Sequence, residues 1–482
     1  MVESHLPSVL LGLDAARGVL LVESCPQQAQ HLRSELAQLG IPPIRLDWAA
    51  DAETAWRLCR EHAYQLLLCD DTLGAEQADG GQLLAALQRE GWLATDCVVL
   101  MMTDDATLSR MRRLVALAPD GYLLKPVQTA IVCHRWPGWL ARRQQLAPIL
   151  TLLQCGLLSA AAGQVADVLA QSPEDAPGLA LLQARIWMAQ RQFDRAHNAL
   201  LDLKGGPEGK RAQLALAELA MRRRYYALAD SWLAALESDP LFCAMALTLG
   251  AENALRMHQF SRARQKLQQA ISLAPGSVEP HWLLACVELA DGTLLAAQQA
   301  LQEGLRQDRP GLSWAGQLMP LLAAVQLDRL GQGEPAAVAA LLQQFQQLCG
   351  LWQQQVGQVA YRPMALLLLG RRHCLLGAPQ QGALCLTQYQ RVCQRQQGQR
   401  PLLEQMELVK LLRLLGDPEA EVQLGQLNRQ LADATDRVEH LAWRLYLARW
   451  CALPPLVRAC DAQEPCDSVS LALASNEVSN EA

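Results

Sequence analysis

Several short apolar runs in the N-terminal quarter of the chain end in residues that can handle a phosphoryl group. Glu23 and Ser24 follow the run at 19–22, and Asp70 and Asp71 follow the run at 66–69. Thr103 follows the run at 98–102, and Lys125-Pro126 follows the run at 122–124. The chain has five lysines, and Lys125 is the only one in its first two hundred residues. Asp70 has the chemistry of a nucleophile toward phosphorus, while Lys125 and Thr103 can bind phosphoryl oxygens. Glu23, with Asp70, can help hold Mg2+, a cation that keeps several waters and takes only one or two carboxylates. A cis peptide before Pro126 would fix the exit of its strand.

These residues converge only if the runs are strands of one sheet. Five runs, at 19–22, 44–48, 66–69, 98–102 and 122–124, alternate with amphipathic stretches of helical period. Short continuous apolar runs bounded by polar turns predict a buried parallel sheet with helices on both faces. The expected fold is a doubly wound, flavodoxin-like α/β domain over residues 18–145, preceded by a leader at 1–17. In such a domain the ligand site lies at the carboxyl ends of the strands, where the four groups above stand.

The segment resembles the receiver domain of two-component response regulators. The resemblance is carried by Val19-Leu20-Leu21-Val22-Glu23-Ser24-Cys25-Pro26, Leu66-Leu67-Leu68-Cys69-Asp70, Asp79-Gly80, the run 98–103 and Tyr122-Leu123-Leu124-Lys125-Pro126. It implies that Asp70 is the phosphoacceptor, Lys125 the phosphate-sensing lysine, Thr103 the switch hydroxyl and Tyr122 the switch aromatic. It also implies Mg2+ as cofactor, held by Glu23 and Asp70, and a histidine kinase or phosphotransfer protein as phosphodonor.

Two departures stand out. Family members place two acids after the first strand, and here Ser24 takes the second position, normally a direct metal ligand. The stretch 71–78 is also about two residues longer than usual before Asp79-Gly80. Asp71 is the alternative acceptor, although strand register favours Asp70. Phosphatases of the haloacid dehalogenase type need a second Asp two positions beyond the nucleophile, where this chain has Thr72.

Beyond the α/β domain the pattern changes to a repeat. Ala184, Ala217, Ala251 and Ala285 recur at intervals of 33, 34 and 34, and two parallel series keep step with them. These are Ala196, Ala229, Ala263, Ala297 and Leu200, Leu233, Leu267, Leu301. A period of about 34 residues with small residues at fixed positions is the mark of tetratricopeptide (TPR) repeats. Residues 146–453 thus resemble that family, with Ala162 and the stretch around Gly370, Gly377, Gly382 and Leu386 as degenerate copies. Gly331 to Pro335 suggests an irregular turn. Such a solenoid binds protein partners and carries no chemistry of its own. His258, His281 and His373 have no consistent acidic or hydroxyl neighbour, and Trp187, Trp232, Trp282 and Trp352 fall at core spacings. The run Arg222-Arg223-Arg224 reads as a solvated helix end, with docking to the acidic α/β domain as the alternative.

Net charge is −6, and an acidic chain without a basic patch excludes ordinary nucleic-acid binding. Fifteen cysteines without CxxC or Cys/His ligand spacing read as reduced core residues. No apolar run reaches the roughly 20 residues of a membrane span, so a cytoplasmic protein is expected, with a disordered tail at 454–482. Asp79-Gly80-Gly81-Gln82 lacks the acids of a diguanylate cyclase signature, and no enzyme is expected. The sequence thus reads as a phosphorelay response regulator whose output is protein binding. The alternative is an unphosphorylated pseudo-receiver adaptor that scaffolds or sequesters a signalling partner.

Overall fold

The five expected strands form one parallel sheet in the computed structural model, ordered β2-β1-β3-β4-β5. They are β1 (Gly18–Val22), β2 (Leu46–Ala49), β3 (Tyr64–Asp70), β4 (Val98–Thr103) and β5 (Gly121–Leu124). The structure describes residues 17–452 except 39–44, 75–78, 105–106, 172–175, 309–314, 333–337, 357, 396–399 and 434–436. The expected leader (apart from Arg17), the expected tail and most of the expected turn at 331–335 lie outside the described residues. So do Ile44 and the second half of the stretch 71–78.

The runs are continuously apolar because both faces of the sheet are covered. Leu20, Val22, Leu67, Cys69, Val99 and Met101 point into one buried cluster, which α2 (Ala52–Glu61), α3 (Gly80–Glu90) and α4 (Leu108–Leu117) complete. Their alternates Val19, Leu21, Leu66, Leu68, Val98, Leu100 and Met102 enter the other, covered by α1 (Pro26–Gln38) and α5 (Thr129–Gln154). Period-two alternation thus feeds two cores from one strand set.

Helix α5 runs from the α/β domain into the repeats through both Pro137 and Pro148. Its neighbours hold it: Trp136 and Leu140 are buried in the sheet core, and Ile149 farther along is buried among residues of the next helices. That packing offsets the hydrogen bonds the prolines cannot donate. One helix therefore serves two cores, and it is unbroken at residue 145.

Hairpins follow: α6 (Leu158–Gln171) packs beside α5, then come the pairs α7 (Ala176–Ala189) with α8 (Phe193–Leu203) and α9 (Gly209–Arg222) with α10 (Tyr226–Glu237). The next pairs are α11 (Cys243–Arg256) with α12 (Phe260–Leu273) and α13 (Glu279–Asp291) with α14 (Leu294–Gln307). Every residue of the three periodic series is at most 1% exposed, so the period marks the close approach of paired helices. The degenerate copy before them is shifted by one residue. Ala161, not Ala162, is fully buried, and it is the fourth residue of α6 as Ala196 is of α8.

The remaining helices are α15 (Ala315–Gly331), α16 (Val338–Val356), α17 (Gln358–Leu375), α18 (Pro379–Arg395), α19 (Leu402–Leu415), α20 (Glu419–Asp433) and α21 (Val438–Ala452). The chain divides into two compact units: residues 1–319 with 431–446, and 320–430 with 447–482. In the second, Gly370 and Gly382 sit twelve apart like the alanine pairs. A Cβ on Gly382 would lie 2.4 Å from Cys374 Sγ, so only glycine allows this approach. No helix among the described residues is long and apolar enough to cross a membrane.

Candidate functional site

Strand ends fix the site. Asp70 is the last residue of β3 and Thr103 the last of β4, while Glu23 and Lys125 immediately follow β1 and β5. Parallel pairing sets Asp70 beside Met102 and Thr103 beside Leu124, so these ends lie level. The Lys125 N–H donates to the Thr103 carbonyl at 2.8 Å, and the Asp71 N–H donates to the Met102 carbonyl at 2.7 Å. The Lys125-Pro126 peptide is cis, as expected.

The structure brings three of the expected residues into direct contact. Lys125 Nζ lies 2.7 Å from Glu23 Oε2 and 2.8 Å from Asp70 Oδ2. Gln28 Oε1 accepts a further hydrogen bond from that ammonium at 3.1 Å. Glu23 is held in place: its Oε1 accepts from the Cys25 N–H at 3.0 Å, and its carbonyl accepts from Trp48 Nε1 at 2.9 Å. Thr103 is buried at its strand end, one strand from both Asp70 and Lys125. Tyr122 does not touch these groups. It packs against α4, its hydroxyl donating to the Leu114 carbonyl at 2.8 Å.

Electrostatically the site is short of positive charge. Burial raises Asp70 above the ordinary carboxylate range; Lys125 pulls it back and Glu23 pushes it up. Burial acts to lower Lys125, but hydrogen bonds to Asp70 and Glu23 leave it above its usual value. Asp71, also buried, is pushed up to about 6 by burial and by Asp79, against the pull of Arg113 and Arg110. Two carboxylates thus share one ammonium, with a third acid adjacent. Burial alone pushes the Cys59 thiol up to about 12. Cys69, beside the site, is raised by burial and by Asp70 as well, so it is a core residue rather than a nucleophile.

Five features were missed in the sequence. A Cβ on Gly80 would lie 1.9 Å from the Asp70 carbonyl oxygen, so α3 starts directly against the backbone of the acid. Asp79 caps that helix, accepting from the Gln82 N–H at 2.7 Å, and pairs with Arg113. On α4, Arg110 reaches Asp71 Oδ2 at 3.4 Å and Thr72 Oγ1 at 2.7 Å. Its neighbour Arg112 points the other way, to the repeats, donating to the carbonyls of Pro240 at 2.8 Å and Leu273 at 3.0 Å. Gln82 donates to the Gln307 carbonyl. Residues 240, 273 and 307 follow α10, follow or end α12 and end α14, so the α3–α4 face meets three successive repeats at equivalent points. The signal available in the sequence was Arg110-Met111-Arg112-Arg113, a basic cluster in an acidic domain.

Two carboxylates, Glu23 and Asp70, fit a Mg2+ ion as oxygen donors, with the Ser24 hydroxyl where a further acid would stand. Among the described residues no group of three or more His, Cys, Asp or Glu is arranged to hold a metal.

Residues 19–135 match the family model of the response regulator receiver domain, which places a receiver domain in the N-terminal α/β region. No curated protein matches the chain. Among solved structures, the chain is similar to the receiver domain of the Francisella response regulator 1452, at 20% identity and a TM-score of 0.23. That match covers 26% of this chain and 98% of that one. The receiver domain of a modulated diguanylate cyclase from Desulfovibrio desulfuricans G20 is 25% identical, with a TM-score of 0.23, covering 26% and 95%. A tetratricopeptide repeat protein from Parabacteroides merdae is 13% identical, with a TM-score of 0.35, covering 57% of this chain and 98% of that one.

Proposed function

We propose that this protein is a phosphorelay response regulator whose receiver is phosphorylated on Asp70 and whose TPR-like repeats act on a protein partner. The observation that carries the reading is the shared ammonium: Lys125 bridges Glu23 and Asp70 at level strand ends, inside a segment matching the receiver family. An Asp70 oxygen attacks the phosphorus of a phosphohistidine on a histidine kinase or phosphotransfer protein. The P–N bond breaks and its electron pair stays on the imidazole. Lys125 then exchanges a carboxylate partner for a phosphoryl oxygen, and the Thr103 hydroxyl donates to another. Mg2+, held by Glu23 and Asp70, would supply charge neutralisation of the phosphoryl oxygens.

The added charge has a short route to the repeats. Asp71, next in sequence to the acceptor, contacts Arg110 on α4, and two residues on Arg112 is fastened to the repeat carbonyls. Phosphorylation redistributes the guanidiniums of α4 toward the new anion and changes the hold of the α3–α4 face on the repeats. Thr103 and Tyr122 move with that rearrangement. The reading makes the protein a cytoplasmic binding protein rather than an enzyme, with no nucleic-acid partner.

The second reading is a pseudo-receiver adaptor, favoured by Ser24, which stands where the family has a metal-binding acid. Intact mass after incubation with Mg2+ and acetyl phosphate separates the two. A phosphate adduct present in the wild type and absent from Asp70→Asn supports the response regulator. No adduct in the wild type, with one gained in Ser24→Asp, supports the adaptor.

A further inference from the structure

The Arg222–Arg224 run does not dock the receiver among the described contacts; Arg223 pairs with Asp194, and Arg222 and Arg224 line a cavity. The cavity has a volume of about 260 Å³ and gathers Arg222, Arg224, Arg256, Arg444, His258 and Tyr226. Leu431 and Leu441 add apolar wall. All of these residues belong to the first compact unit.

The cations are placed by the repeat. Arg222 and Arg256 close α9 and α11, while Arg224 and His258 take the left-handed turns that follow, at φ of +63° and +58°. One repeat later the matching positions are Ala290 and Gly292, and one repeat earlier they are Ala189 and Arg191, so of these four repeats only the two that reach the cavity carry a basic side chain at both positions. The fourth guanidinium, Arg444, comes from a segment far away in sequence. Among the described residues, neither Arg224 nor Arg444 has an ion-pair partner and no acid lines the cavity. Glu252, one turn before Arg256, is pushed up to about 8 by burial and by Glu279, Glu218 and Glu439, and none of these acids is among the cavity's lining residues.

We infer that this cavity binds a small phosphate-bearing anion. Four guanidiniums converge on the cavity, and their planar forks match phosphate oxygens in bidentate geometry. The volume suits a diphosphate or a compact nucleotide rather than a folded partner. The ligand joins α9 and α11 to residues 438–446, so it stabilises the first unit by mass action. This site is separate from the aspartyl acceptor and does not depend on its phosphorylation.

The test is isothermal titration of the full chain, without divalent metal and at fixed ionic strength, with inorganic phosphate, pyrophosphate and ADP. The variants are Arg224→Gly and Arg444→Met. Glycine is the residue a left-handed turn prefers, so Arg224→Gly keeps the fold while removing one cation. Binding of pyrophosphate or ADP that weakens about tenfold in each variant confirms the site. Equal affinity for pyrophosphate and ADP identifies an inorganic anion as sufficient, whereas preference for ADP identifies a nucleotide. Absence of binding by all three ligands overturns the proposal, as does binding that neither variant weakens.

Discussion

Two buried charge clusters in this protein differ in their balance. In the second unit, Arg371 pairs with Asp328 and Glu407, and Lys410 lies 2.8 Å from Asp328 Oδ2 and 2.9 Å from Glu407 Oε1. In these ion pairs two acids meet two bases, all at most 4% exposed. In the receiver, Glu23 and Asp70 share Lys125, and Asp71 stands beside them with a guanidinium 3.4 Å away. The balanced cluster ties α15, α17 and α19 together. The unbalanced one retains capacity for a cation and for a phosphoryl group whose charge a cation can offset. Charge count, not burial, separates a scaffold from a site.

The largest expected effect tests the balanced side. Arg371→Met takes the guanidinium away from Asp328 and Glu407, and lowers the stability of the second unit by about 3–5 kcal/mol. Urea denaturation followed by tryptophan fluorescence measures it; a loss below about 1 kcal/mol would mean that the cluster is not a structural unit.

Asp71→Asn should act in the opposite direction. Folded Asp71 keeps its proton to about pH 6, whereas the unfolded carboxyl releases it near 3.8. The folded state therefore binds more protons between these values, and wild-type stability falls as pH rises through that window. The amide escapes that loss, so the variant gains about 2 kcal/mol at neutral pH and nothing below about pH 4. Denaturation midpoints at the two pH values decide it, and an equal gain at both would refute the cause. Asp70→Asn follows with the same sign and a smaller gain of about 1 kcal/mol, because Lys125 already relieves the wild-type carboxylate. A net loss would show that the receiver site is as balanced as its counterpart.

The smallest stability effect belongs to the link between receiver and repeats. Arg112→Ala removes two hydrogen bonds to backbone carbonyls and costs about 1 kcal/mol. Its larger consequence is on communication: limited proteolysis of the turns around residues 240 and 273 should no longer respond to a phosphodonor.

The sheet was legible because both its faces are buried, which made each strand a plain apolar run ending at a polar residue. Asp70, Glu23 and Lys125 were readable for the same reason. Strand ends fix where they meet, and their types fix what they do. The repeats were legible wherever close helix packing demands a small residue, as at Ala196 and Ala229. Ala161 was misplaced by one residue because a period carries no information about one inserted position in a turn. The targets of Arg112 and Gln82 were not legible, although Arg112 stood out as part of a basic cluster. A long polar side chain on a helix reads as solvated, and its target here is a backbone carbonyl, which has no sequence signature. The pocket arginines were seen only as a run, because Arg256 and Arg444 join it from other helices.

The central claim is that charge added at Asp70 reaches the repeats through α4. Hydrogen exchange on the full chain, with Mg2+ and with or without beryllofluoride, tests it most directly. The expected result is altered exchange in residues 108–117 and in the turns near 240 and 273, present in the wild type and absent in Asp70→Asn. Unchanged exchange at those sites, in protein whose receiver demonstrably takes up beryllofluoride, would contradict it.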